Sequence, residues 1–389
     1  MRVIDIFCGC GGMSWGLHKL GFDVLLGIDV NDKYIQSFTR NFGEGKTLLG
    51  DLKEISGRDV LERLGLQRGE LEFLVGGPPC QGFSKNTPRG ARLIESDNNL
   101  LVREYLRFAD EVYPQNLVIE NVAEMKKGFE GQYTEEIFKE LQTRGYDVVS
   151  HVFDASNYGI PQRRKRAFFV ASRVRKKLVI PPTTHADKSN KSKIDNLDLF
   201  ADPIKPKVSV FDAISDLPRL THTDGTYDGE YLTDPNSEYQ EEMRSNSTFI
   251  MNHTARKMSD IQFKRLSSLK PGQGLKDLPE KLRTKGGYSG AYGRLTWDMI
   301  CPTITRWVFH PGSGRWGHPE DIRTLSLRET ARIQSFSDDF IFEGTYNDIA
   351  GQLGNAVPPK LMQVVIKTFK YYHLRSSQKT DDKKFCLVE

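Results

Sequence analysis

Short apolar runs alternate with helix-like segments over residues 1–172, and this alternation restricts the chain to few folds. Val3–Phe7, Val24–Asp29, Leu71–Val75, Leu117–Glu120, Tyr146–Val152 and Ala167–Ala171 read as buried strands. Helical patterns fall between them: Met13–Leu20 closed by Gly21, a helix capped by Asn31 and running to Asn41, Leu101–Val112 and Thr134–Arg144. Strands separated by helices pair in parallel and are covered on both faces. The pattern therefore predicts an α/β domain on a mostly parallel sheet.

The texture changes near residue 173. Polar, turn-rich sequence fills Arg173–Phe200 and Thr221–Ser247, and regular pattern returns only at Ser326–Gln334 and Val357–Tyr372. The expected organisation is a catalytic domain over 1–172 and a smaller, loop-rich domain inserted over 173–325. A segment over 326–374 then completes the first domain, and 375–389 form a frayed tail. A chain of 389 residues, 38% hydrophobic and 27% charged, can bury such a core. It contains no apolar run long enough for a membrane helix, and its first residues enter a strand rather than a signal peptide. Five cysteines, at 8, 10, 80, 301 and 386, are too scattered for a disulfide framework. A reducing cytoplasmic setting is expected, and it suits a free thiol. The formal net charge of +4 says little about nucleic acid, so local charge must decide.

Three local features carry chemistry. Gly76-Gly77-Pro78-Pro79-Cys80-Gln81 follows an apolar strand, so a stiff loop holds Cys80 at the strand's carboxyl end, the edge where open α/β sheets bind ligands. Phe7-Cys8-Gly9-Cys10-Gly11-Gly12 follows the first strand and opens the first helix, where glycines let the backbone approach a ligand. Asp29 ends the second strand and is placed for ribose hydroxyls, while Asp51 follows the third and is placed for an adenine amino group. A dinucleotide loop would carry glycine where Ser14 stands, which favours a nucleoside cofactor without pyrophosphate, such as S-adenosylmethionine. Third, Glu120 ends an apolar strand, where a carboxylate is costly unless paired or functional, and Gln162-Arg163-Arg164-Lys165-Arg166 leads into another. Four consecutive cations could be a solvated face; alternatively, the alternate residues Gln162, Arg164 and Arg166 share one face and grip a phosphate or the carboxylate.

Taken in order, these motifs resemble those of the bacterial-type DNA (cytosine-5)-methyltransferases. The likeness continues through Arg328-Glu329-x-Ala331-Arg332-x-Gln334-x-Phe336 and Gly354-Asn355-Ala356-Val357-Pro358-Pro359, covering about residues 1–172 and 325–372. Two positions depart from it: Ser337 replaces a usual proline, and Ser96-Asp97-Asn98-Asn99-Leu100-Leu101 lacks the usual Asp and Arg. The resemblance implies a Rossmann-like class I methyltransferase sheet with an inserted target-recognition domain. It implies S-adenosylmethionine as cofactor, S-adenosylhomocysteine as product, and no metal.

It also implies roles. Cys80 attacks C6 of a flipped cytosine, Glu120 stabilises the ring at N3, and Arg164 and Arg166 supply positive field. The expected cofactor residues are Phe7, Cys8, Gly9, Cys10, Gly11, Gly12, Asp29, Val30, Asp51, Leu52, Pro78, Leu101, Asn355, Ala356 and Val357. DNA contacts are expected from Gln81, Ser84, Lys85 and Arg89 on a closing loop, and from Gln162, Arg294 and Arg306. The expected partners are double-stranded DNA and a cognate restriction endonuclease or defence system acting on the same sequence, with the protein a monomer. A transfer-RNA cytosine-5 methyltransferase of the same fold is the alternative, disfavoured by the long segment 173–325. An inert DNA-binding relic and a nicotinamide oxidoreductase fit less well.

Overall fold

The computed structural model describes residues 1–79, 97–123, 132–175, 177–187, 203–221, 225–284, 286 and 290–369. Seven strands build the main sheet: β1 (Arg2–Ile6), β2 (Asp23–Asp29), β3 (Thr47–Leu49), β4 (Phe73–Gly76), β5 (Asn116–Val122), β6 (Asp147–Asp154) and β7 (Lys165–Ser172). Their order is β3-β2-β1-β4-β5-β7-β6. β1 pairs in parallel with β2 and β4, and β4 with β5, through helical crossovers. These crossovers are α1 (Gly12–His18), α2 (Asp32–Phe42), α3 (Gly57–Arg63), α4 (Asp97–Val112) and α5 (Gln132–Thr143). β7 is antiparallel to both β5 and β6. Residues 155–164, which open with the 3-10 turn Ala155–Tyr158 and contain no α-helix, separate β6 from β7, too little chain for a parallel crossover.

Local sequence explains the elements. β4 and the Leu117–Ile119 stretch of β5 are apolar runs because helices cover both faces of the sheet. Asn31 accepts the amides of Lys33 and Tyr34 and starts α2 as the sequence predicts. One face of the sheet packs on Val60, Tyr105, Phe108 and Ile137 from α3, α4 and α5. The other packs on Leu17 and Phe38, and on Leu361, Met362 and Val365 of the C-terminal helix Pro359–Val365.

Beyond β7 the chain forms short helices and two small two-stranded sheets. Its apolar residues do not make a wholly separate core. Val210, Ile214, Leu295, Ile304 and Trp316 share one cluster with Leu327, Phe336 and Leu353, so packing runs continuously across residue 325. A smaller cluster, Leu269, Leu278, Ala291 and Tyr292, stands apart. The helix Leu327–Ile333, opened by a Ser326–Glu329 capping box, ties the halves together with buried charge. Arg332 is fully buried and donates to Asp338 at 2.6 Å and Asp216 at 2.5 Å. Glu329 sits between Arg323 and His318; burial alone would raise its carboxyl, but the paired Arg323 guanidinium outweighs this and holds it well below the usual carboxylate range. No helix among the described residues is long and apolar enough to cross a membrane.

Removing one partner from such a site leaves uncompensated buried charge, which costs about 3–5 kcal/mol. Arg332→Ala is therefore expected to lower the unfolding free energy by about that amount in urea titration. A loss below about 1 kcal/mol would show that water reaches Asp216 and Asp338.

Candidate active site

The loop after β1 is wound tightly by its own backbone. Phe7, Gly9 and Gly11 adopt positive φ angles of 59°, 57° and 99°. Asp29, at the end of β2, accepts the Gly9 amide on one oxygen and the Asn31 amide on the other, both at 2.8 Å. Burial raises the Asp29 carboxyl against these two bonds. Its first task is thus to hold the loop, with lone pairs left for a ligand. Gly12 admits close contact: a Cβ there would overlap the Val357 carbonyl oxygen, so the first helix and the segment before the C-terminal helix lie directly together.

Side chains around this cradle divide. Cys8, Cys10, Leu52 and Val357 are buried in the apolar clusters, so their side chains are turned into the core. Burial pushes the Cys10 thiol up to about 12, which keeps it protonated. Val30 and Leu49 are 70% and 54% exposed at the ends of the paired strands β2 and β3, so they present apolar surface beside the loop. Asp51 caps the turn Leu52–Glu54 through the Lys53 amide at 3.0 Å, and Leu101 is half-buried on α4. Asn355 is exposed, with its amide 3.3 Å from the Tyr34 hydroxyl, and Ala356 is half-buried.

Asp5 escaped the sequence reading. It is fully buried in β1, accepts Ser14 Oγ at 2.6 Å on one oxygen, and leaves the other without a partner. Ser14, noted only for not being glycine, thus anchors the loop helix to the sheet. The available signal was a lone carboxylate inside Val3-Ile4-Asp5-Ile6.

At the adjacent strand end the carboxylate and arginine motifs meet. Glu120 Oε1 lies 2.9 Å from Arg166 Nε, and both side chains are largely buried. The β5–β7 register places Arg166 opposite Val122, one diagonal step from Glu120 on the same face. Burial raises the Glu120 carboxyl, while Arg166 and Arg164 pull it back. Gly77, the first residue of the proline loop, leaves room for it: a Cβ there would sit 3.0 Å from Glu120 Oε2. Asn121 donates to the Pro78 carbonyl at 3.1 Å, tying this buried proline to β5. Cys80, Gln81, Ser84, Lys85 and Arg89 lie outside the described residues.

Three basic or amide residues are held by the protein's own backbone. Arg164 does not reach Glu120 directly among the observed bonds. It is buried and donates to the carbonyls of Ile304 at 2.9 Å and of Gly354 and Ala356 at 3.0 Å. Gln162, expected on DNA, is buried; it accepts the Ile304 amide and donates to Gln334. Arg294, expected to read a base, is 5% exposed, with its guanidinium donating to the carbonyls of Leu269, His318, Pro319 and Glu320. The Gln162 side-chain amide donates to Ile333 and Gln334, and Arg294 makes four bonds to backbone carbonyls, because loop carbonyls need partners and these side chains supply them. Arg306 is exposed, over the face of Trp307 at 5.1 Å.

Asp5 generates a pH prediction. Burial lifts its carboxyl to about 7 from an ordinary 3.8. A raised carboxyl favours the protonated folded state, so this stability is present at acid pH. It is lost as pH rises from about 4 to about 7, each unit being worth about 1.4 kcal/mol. Asp5→Asn should flatten that fall in urea titrations at pH 4.5 and 7.5; an unchanged slope would mean Asp5 is ionised when folded.

The profile of C-5 cytosine-specific DNA methylases matches residues 1–371. The Type II methyltransferase M1.HphI of Haemophilus parahaemolyticus is 30% identical, the match covering 94% of this chain and 85% of that protein. M.AgeI of Thalassovita gelatinovora is 29% identical, with 95% and 99% covered. A crystal structure titled as a DNA modification methyltransferase encoded in an Escherichia coli prophage superposes with a TM-score of 0.71 at 24% identity, covering 95% of this chain and 98% of that one. That likeness shows the fold, a Rossmann-like methyltransferase sheet. With the profile spanning nearly the whole sequence, the chain belongs to the family of C-5 cytosine-specific DNA methylases.

Proposed function

We propose that the protein methylates C5 of a cytosine turned out of double-stranded DNA, through a transient bond between Cys80 and C6. The observation that carries this reading is the buried Glu120–Arg166 pair beside Gly77, at the foot of the loop leading to Cys80. Cytosine C5 is a weak nucleophile, so the ring must be activated. The Cys80 thiolate adds to C6 while a proton from the Glu120 carboxyl goes to N3, making an enamine that is nucleophilic at C5. Burial favours the protonated form of Glu120 that this role needs. With the methyl on C5, loss of the C5 proton to solvent expels the Cys80 thiolate, and return of the N3 proton to Glu120 restores the ring. A stacked base hides C6, so flipping is required.

The residues of the cradle fit S-adenosylmethionine, which when bound supplies an electrophilic methyl group. Asp29 and Asp51 keep acceptor capacity for ribose and adenine donors, the Phe7–Gly12 backbone turns at close range, and Val30 and Leu49 offer exposed apolar contact. Relatives described as Type II methyltransferases support a modification role beside a restriction endonuclease of the same specificity.

A duplex containing 5-fluorocytosine at the target blocks the final proton loss and should trap a denaturation-resistant complex with the wild type. Cys80→Ala should still shift the duplex in a gel but trap nothing and transfer no labelled methyl; turnover by this variant would end the assignment. Label entering transfer RNA rather than plasmid DNA would establish the alternative substrate. Glu120→Gln is expected to slow transfer by about 10²–10⁴-fold.

A further inference from the structure

Arg164 is one of the largest fully buried side chains, yet among the described residues no carboxylate is bonded to it. Its donors go instead to two stretches of backbone far apart in sequence. Nη1 holds the Ile304 carbonyl at 2.9 Å, and Nη2 holds the carbonyls of Gly354 and Ala356, each at 3.0 Å. The two stretches lead to different surroundings. Ala356 adjoins Val357, whose carbonyl abuts Gly12 of the cofactor loop. Ile304 precedes Thr305, Arg306 and Trp307, which are exposed, Trp307 at 51%. The stretches also touch directly, since a Cβ on Gly354 would overlap the Arg306 amide nitrogen. Gln162 strengthens the link by accepting the Ile304 amide at 2.9 Å.

We propose that Arg164 is a positioning residue that couples cofactor binding to the DNA-facing rim at Thr305–Trp307. This rests on the DNA-methylation reading above. A ligand that orders the cradle at 354–357 orders the rim through the same guanidinium, so the second ligand meets less ordering cost. Coupling of this kind is reciprocal: each ligand tightens the other by the same factor.

The test uses the full-length protein, S-adenosylhomocysteine, and a duplex carrying the methylation site mapped by bisulfite sequencing. Dissociation constants for each ligand are measured with and without a saturating amount of the other. The wild type should show a coupling factor within about 5- to 150-fold, equal in both directions. Arg164→Lys, which cannot hold three carbonyls in a planar fork, should bring the factor close to one. A merely structural role would weaken both ligands or lower the melting temperature while leaving their ratio unchanged. Gly354→Ala, which pushes on the same junction from the other side, should also reduce the factor and serves if Arg164→Lys does not fold. A wild-type factor of one, or a wild-type factor retained in a folded variant, overturns the proposal. A protein that transfers no methyl to DNA overturns the earlier reading instead; one that methylates without coupling overturns only this one.

Discussion

The pairing of Glu120 with Arg166 depends on one strand running against the others. β7 enters the sheet between β5 and β6 in the antiparallel sense, so its beginning lies beside the end of β5. Its N-terminal arginines therefore arrive where the parallel strands end and where the loops after β1 and β4 open. Had β7 been parallel, Arg166 would lie at the far end of the sheet from Glu120. The short connection after β6 imposes this direction, because no α-helix intervenes to carry the chain back across the sheet.

Around that edge, buried arginines act as connectors. Arg164, Arg294 and Arg328 donate to backbone carbonyls, among them those of Ile304, Leu269 and Phe340, which lie outside helices and strands. Arg323 and Arg332 neutralise buried carboxylates. A planar guanidinium with five donors suits this work, since it can satisfy several acceptors and keep its charge. The region after β7 has few long elements, so much of its order rests on these contacts and on the apolar cluster it shares with Leu327, Phe336 and Leu353.

This use of arginine explains where the sequence was misleading. A cation in a loop-rich segment reads as exposed, and Arg294 was assigned to DNA on that basis, while Gln162 was assigned to DNA from its motif at a strand entry. Their burial follows from carbonyls contributed by residues far along the chain, such as Glu320 and Ile333. The alternation within Gln162–Arg166 was nevertheless legible: Gln162 and Arg164 are buried, whereas Arg163 and Lys165 are exposed. Asp5 was missed because a single carboxylate in an apolar strand gives no sign of its partner, Ser14.

The sequence by itself determined the parallel α/β frame, the cap at Asn31, the glycine loop and the strand-end position of Glu120. Each depends on neighbours within a few residues, through periodicity, capping and turn chemistry. Only the tertiary structure decided that Arg166 rather than Arg164 pairs with Glu120, that Gly12 is covered by Val357, and that Arg164 joins Ile304 to Gly354. Those contacts join residues far apart in the chain. Strand order and loop closure set them, and no local pattern encodes either.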